Sequence, residues 1–404
     1  MKRRLLCSCF ALCVATASVA AQDVLDRVDQ ALSFSAFDSR VRVRLSGTLD
    51  LELYAFEQPP PGLIDADGNA LFNPRLSLFL DAQLGSAVYA FVQTRIDRGY
   101  DPKDSGMNIR LDEYAIRVTP WEDGRATLQV GKFATVVGRW VQRHLSWDNP
   151  FITAPLPYEY VTAISDVEAP YYGYYFRRDL NAKYEYNPLI WGPSYASGVS
   201  FSGRLGAFEY AAEMKNAALT SRPESWNLTE VGLDRPTFSG RVAFHPNAMW
   251  TFGVSASGGP YLRSEAESAL PPGTGVSDYD QLLVGQDISF EWHHLQVWSE
   301  IYEARFEVPQ VGNADTLAYF IEAKYKFAPQ LFAAVRWNQQ FFGDVPNGYG
   351  GSTPWNGDVS RIEVALGYRP TAHTQLKVQY NFHREEAAPR ESPHLFAAQF
   401  TIRF

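Results

Sequence analysis

From Val41 to Ala55 the chain alternates almost without exception. The odd positions are Val41, Val43, Leu45, Gly47, Leu49, Leu51, Leu53 and Ala55. The even positions are Arg42, Arg44, Ser46, Thr48, Asp50, Glu52 and Tyr54. A period of two gives a strand with one apolar and one polar face. Fifteen residues are more than a soluble edge strand needs. They suit a tilted strand crossing a hydrocarbon layer and both of its interfaces. The same template predicts strands near 40–57, 73–84, 87–98, 107–119, 125–134, 195–204, 208–217 and 237–245. It continues near 249–258, 280–292, 295–306, 315–327, 330–342, 358–369, 374–384 and 394–404, which makes sixteen.

The connections alternate in length. Gly85-Ser86, Leu205-Gly206-Ala207, His293-His294 and Ala328-Pro329 are short; 58–72, 135–194, 218–236 and 259–279 are long. An even strand count with short turns at one end and long loops at the other predicts an all-β fold, a transmembrane antiparallel β-barrel. The last strand ends on an aromatic. Phe396, Ala398, Phe400, Ile402 and Phe404 alternate with Ala397, Gln399, Thr401 and Arg403. This ending is similar to the C-terminal signature of bacterial outer-membrane barrels. Phe400, Ile402 and Phe404 are then the expected signal for the barrel assembly machinery.

Composition changes the picture in two ways. A mean hydropathy of −0.23 would suit a soluble protein, yet aromatics reach 14%. A barrel explains both, because polar lumen residues alternate with lipid-facing ones and aromatics collect at two interfaces. Beyond residue 21 no run of about eighteen apolar residues occurs, so transmembrane helices are excluded. Lys2, Arg3 and Arg4 followed by apolar Leu5 to Val19 read as a secretory signal peptide over 1–21, cut after Ala20 or Ala21. A lipoprotein signal is the alternative, but Leu12 before Cys13 does not fit it. Cys7, Cys9 and Cys13 leave with the signal, so neither disulfides nor thiolate metal sites are expected. Losing three cations takes the formal charge from −9 to −12, which argues against nucleic acid as a partner. Residues 22–39 form a periplasmic leader. Val24, Leu25, Val28 and Leu32 mark one face of a short helix, with a solvated leader as the alternative. The barrel domain is 40–404.

The third long connection, 135–194, is the outlier, and loops of that length are usually functional. Prolines 150, 155 and 157 stiffen its path, and its charges supply a field. Folded into the lumen it makes a constriction with Arg139, Arg143, His144 and Asp148 as pore-facing candidates. The other reading is an external cap packed on its own tyrosines, including Tyr171 to Phe176.

Several phrases resemble the phosphate-selective porin O and P family. They are Gln129-Val130-Gly131-Lys132-Phe133, Ser202 to Tyr210, Leu295 to Tyr302 and Ala318 to Tyr325, in that order along the chain. The likeness covers about 40–404. It implies sixteen strands and a homotrimer. Phosphate specificity in that family rests on an arginine ladder and a lysine cluster, and the third loop here has only Lys183.

On the inner face the alternation places a mixed set of charges. Arg42, Arg44, Arg95, Arg117, Arg336 and Arg361 are basic; Asp50, Glu52, Glu300 and Glu322 are acidic. On the lipid face each would cost roughly 2–4 kcal/mol at the midplane, so they are assigned inward. Most are expected to buttress the wall as salt bridges. No His-Glu-x-x-His motif or Gly-x-Ser-x-Gly elbow occurs, and Gly253-Val254-Ser255-Ala256-Ser257 departs at its fifth residue. The expectation is an outer-membrane porin that is not an enzyme and uses no cofactor or metal. It passes small hydrophilic solutes or ions by diffusion, surrounded by outer-membrane lipid and lipopolysaccharide. Two alternatives stay open. One is a specific channel for anions or sugars, with Trp147, Tyr158, Tyr160 and Tyr171 as a stacking slide. The other is a closed structural or adhesion barrel.

Overall fold

The computed structural model describes residues 24–98, 106–170, 183, 185–227, 235–386 and 393–404. The signal peptide and Tyr171 to Phe176 lie outside these residues. Sixteen antiparallel strands close on themselves. They are β1 (Val41–Phe56), β2 (Ala70–Leu84), β3 (Val88–Asp97), β4 (Asn108–Val118), β5 (Thr127–Phe133), β6 (Ala196–Leu205), β7 (Phe208–Lys215) and β8 (Thr237–Phe244). The second half is β9 (Trp250–Pro260), β10 (Asp280–Trp292), β11 (Leu295–Val308), β12 (Gly312–Ala328), β13 (Leu331–Phe342), β14 (Val359–Tyr368), β15 (Thr374–Glu385) and β16 (His394–Arg403). Each strand pairs with the next, and β16 pairs with β1 from Leu395↔Phe56 to Arg403↔Thr48.

The β16 ladder stops at Thr48, short of the lower end of β1, and the leader fills the difference. Backbone bonds between Gly47 and Phe404 end the β16 ladder, at 2.9 and 3.0 Å. Below that point Ser33–Ala36 pairs with Val41 to Arg44, so this edge of β1 is not left bare. Residues 24–31 are helical. Asp26 bonds His373 at 2.7 Å and Asp29 bonds Arg44 at 2.9 Å, which ties the leader to two places on the barrel's short-turn end.

The barrel is inside-out relative to a soluble sheet. Leu51, Leu53, Ile116, Val130, Val254 and Ile321 point outward and are exposed, while Asp50, Glu52, Arg95, Arg336 and Glu363 point inward and are buried. This arrangement is stable only where the surroundings are apolar. Outward aromatics gather near the short turns: Phe201, Phe208, Trp292, Tyr325, Phe327 and Tyr368.

Two glycines permit close approaches that no other residue allows. Gly131 has φ +145°, and a Cβ there would lie 2.1 Å from the Tyr114 carbonyl. It lets β5 lie close against β4 just before the long loop. Gly253 on β9 leaves a gap across which Arg241 of β8 reaches Asp287 of β10, with bonds of 2.9 and 2.7 Å. A Cβ at 253 would sit 2.1 Å from that carboxylate and 2.6 Å from the guanidinium.

Replacing Gly253 with Val is therefore expected to force this buried pair apart. Breaking such a pair costs about 3–5 kcal/mol. Denaturant unfolding of the detergent-folded barrel measures the loss, and an unchanged midpoint would mean the pair relaxes without penalty.

Candidate functional site: an inward loop and the cavity beside it

The connection from β5 to β6 enters the lumen and is fastened to the wall at every turn. At its start, Glu213 of β7 accepts the Thr135 hydroxyl at 2.6 Å and the Val136 amide at 3.3 Å. Lys215 donates to the Phe133 carbonyl at 2.7 Å. Glu300 of β11 takes four donors: the amides of Arg139 and Trp140 at 2.9 and 2.5 Å, and the hydroxyls of Tyr158 and Tyr302 at 2.6 and 2.7 Å. Those are four charge-assisted bonds on one carboxylate.

The loop then crosses to the far wall. Lys377 of β15 donates to the carbonyls of Ser146, Asn149 and Phe151 at 2.7, 3.0 and 3.0 Å. Three acceptors match the three hydrogens of an ammonium. Arg336 of β13 pairs with Glu322 and Glu363 and donates to the Thr153 and Ala154 carbonyls. Arg361 of β14 reaches Glu159 and the Ala154 carbonyl, each at 2.5 Å. Higher up, Arg222 and Asp166 join the fourth long connection to the third at 2.6 Å. Apolar packing completes the seal. Val137, Trp140, Leu156, Ile190, Tyr302, Phe306 and Trp355 form one buried cluster inside the barrel.

The four constriction candidates thus have different surroundings. Arg139 lines a cavity of about 590 Å³ at the short-turn end with Arg204, His245, Thr251 and Glu291. Arg143 is turned into the wall, paired with Glu322 at 2.6 Å and stacked 4.2 Å from the Trp298 ring. His144 bonds the Val141 carbonyl and the Tyr195 hydroxyl, both at 2.5 Å, and one edge borders a second cavity. Asp148 is exposed. Its neighbour Trp147 lies between the guanidinium groups of Arg369 and Arg403, at 4.6 and 4.1 Å. The inward loop therefore reaches down to the short-turn rim.

The wall charges fall into two groups. Glu300, Glu322, Arg336 and Arg361 hold the loop. Asp50, Glu52 and Arg95 belong to a network along β1–β4: Arg75 bridges Asp50 and Glu52 at 3.1 and 2.6 Å, and Arg95 and Arg110 share Asp97 and Asp112. A register shift in β4 turns both Asp112 and Glu113 away from lipid, which alternation alone does not allow. Arg42 is exposed and Arg44 pairs with the leader rather than with a neighbouring strand. The aromatic slide does not form from the residues named for it. Tyr158, Tyr160 and Trp147 are 0%, 3% and 8% exposed, consumed in packing the loop, and Tyr171 lies outside the described residues. Lys183 donates to the carbonyls of Pro60, Gly62 and Ile64.

The open space lies opposite. A cavity of about 660 Å³ is bounded by β3–β8 on one side and by Thr135, Gln142 and His144 of the loop on the other. Its wall carries Tyr89, Phe91, Arg117, Gln129, Ser200, Ser202 and Glu209. Of these, Arg117 and Glu209 carry the charge that marks an inward position in the sequence. The others were legible as inward positions, but nothing in a strand pattern tells which side of the lumen a loop will leave empty.

The fold is similar to that of several outer-membrane channels of known structure. It matches the anion-selective porin of Comamonas acidovorans with a TM-score of 0.56 and 12% identity, over 90% of this chain and 100% of that one. It matches OmpF of Salmonella typhi at 0.56 and 10% identity, over 92% and 100%. It matches the channel DcaP of Acinetobacter baumannii at 0.55 and 10% identity, over 92% and 99%. The shared property at this identity is the porin-type barrel. No protein-family model and no curated protein sequence matches the chain.

Replacing Glu300 with Ala should release the inward loop, because it strands four donors at once. Each buried donor left without an acceptor costs about 1–3 kcal/mol. Limited trypsin digestion reads the outcome: Arg139 and Arg143 should become cleavable while the barrel stays folded. Protection equal to the parent protein would show that apolar packing alone holds the loop.

Proposed function

We propose that this protein is an outer-membrane porin, a passive channel for small hydrophilic solutes or ions. The observation that carries the reading is the inward loop. It fills the β9–β15 side of a closed barrel and leaves a polar, charged cavity along β3–β8. A barrel with only a structural task has no need of an internal hoop that narrows the lumen without plugging its whole section.

In this reading the short turns face the periplasm and the long loops face outward. The signal peptide of 1–21 directs export, the strand ending in Phe400, Ile402 and Phe404 is recognised by the assembly machinery, and lipopolysaccharide meets the long-loop rim. A homotrimer is consistent with the architecture, since OmpT of Vibrio cholerae, similar in fold at a TM-score of 0.53, has a trimer form. Transport needs no cofactor and no chemistry, because the gradient drives it and the wall sets only radius and field. A narrower kinship with the phosphate-selective porins rests on the sequence phrases alone. Within the loop, Lys183 is consumed by three backbone carbonyls, which does not favour phosphate.

Single-channel recording in a planar bilayer under a salt gradient tests the reading. Stepwise openings are expected, and a tight barrel that never conducts would overturn it. Arg139→Ala should move the reversal potential toward cation preference, because Arg139 borders open space. Arg143→Ala should lower stability and leave selectivity little changed, because Glu322 already neutralises that charge.

A further inference from the structure

We propose that Arg117, Tyr89 and Phe91 form a solute-binding site in the β3–β8 cavity, selective for small carboxylates with a flat apolar body. The inference rests on the channel reading and names a substrate class for it.

Arg117 differs from the arginines that knit the wall and hold the loop. Arg75, Arg95, Arg110, Arg241, Arg336 and Arg361 each lie within 4 Å of a carboxylate. Arg117 bonds a neutral group instead: its Nε and one terminal nitrogen donate to the Gln129 side-chain oxygen at 2.9 and 2.7 Å. Among the described residues no carboxylate pairs with it. Asp81 on β2 accepts the Tyr89 hydroxyl. Glu113, the next acid along β4, is four residues away, about 13 Å of strand. The bond to Gln129 fixes the guanidinium, and its other terminal nitrogen, with two N–H groups, has no hydrogen-bond partner among the described residues on a side chain that lines the cavity. A planar fork with open donors is suited to a carboxylate.

The surface beneath it is aromatic. The Tyr89 and Phe91 rings are stacked with centroids 5.8 Å apart, and the Arg117 guanidinium lies 5.6 Å from each. Both rings are half-buried and line the cavity, where Ser200 and Ser202 supply further hydroxyls. The pairing of a held cation with an apolar floor fits a solute that is an anion at one end and flat and apolar over the rest. A fully hydrated ion such as inorganic phosphate would use the guanidinium but gain nothing from the rings.

The test is current block by benzoate, acetate and phosphate, added to the short-turn side of single channels. Benzoate should block at concentrations about tenfold below acetate or phosphate. Arg117→Gln should remove the block by both carboxylates. Arg117→Lys keeps the charge without the fork and should weaken block by benzoate severalfold. Phe91→Ala should erase the advantage of benzoate over acetate while leaving acetate unchanged. Equal block by the three anions, or block that survives Arg117→Gln, would overturn the proposal. If the folded protein does not conduct, the channel reading fails on its own. The site is then judged by calorimetric titration of benzoate and acetate into the detergent-folded protein and its Arg117→Gln variant. Binding of benzoate that the variant loses supports the site, and no binding overturns it.

Discussion

Closure of the backbone hydrogen-bond ladder governs everything else in this molecule. An apolar solvent offers no partner to a bare N–H or C=O, so a sheet that crosses it must have no edge. The pairing of β16 with β1 meets that demand over most of the seam, and Ser33–Ala36 meets it where β16 runs out. Once the sheet is closed and its outside must be apolar, the polar half of every strand has only the lumen left. The concentration of charge inside the barrel follows from that geometry before any solute is considered.

Those inward charges then need partners of their own. Along β1–β4 they find each other, as Asp50, Glu52 and Arg75 do. Along β11–β15 they find the inward loop, whose backbone supplies amides to Glu300 and carbonyls to Lys377, Arg336 and Arg361. The irregular backbone of the loop and the charged wall satisfy one another. A loop with unpaired peptide groups and a wall with unpaired charges are each costly, and together they hold the loop in one place inside the barrel.

The barrel was readable in the sequence because its physics is local. Alternation reports the two faces of a strand directly, and all sixteen strands appear close to their expected bounds. The shift near Asp112 and Glu113 and the gap at Gly253 were not readable, since both depend on what the neighbouring strand presents. The loop was marked by its length, but its path was hidden. Arg139 and Arg143 sit four residues apart with the same chemistry, yet one borders open space and the other is held by Glu322. That difference is set by the opposite wall, more than a hundred residues away in the chain. The loop aromatics misled for a related reason: Tyr158 and Tyr160 have the composition of a solute slide, and their burial turns them into packing.

The loop is anchored at β7 and then chiefly along β11–β15, which divides the barrel into arcs that are committed and an arc that is largely not. On β11–β15 an inward substitution disturbs the hoop as well as the wall. On β3–β6 the inward side chains at Tyr89, Phe91, Gln129, Ser200 and Ser202 face space, and few of them hold anything in place. In the channel proposed above, new specificities can arise there by single changes without unseating the loop, so this arc of the barrel is where sequence drift would be turned into altered diet.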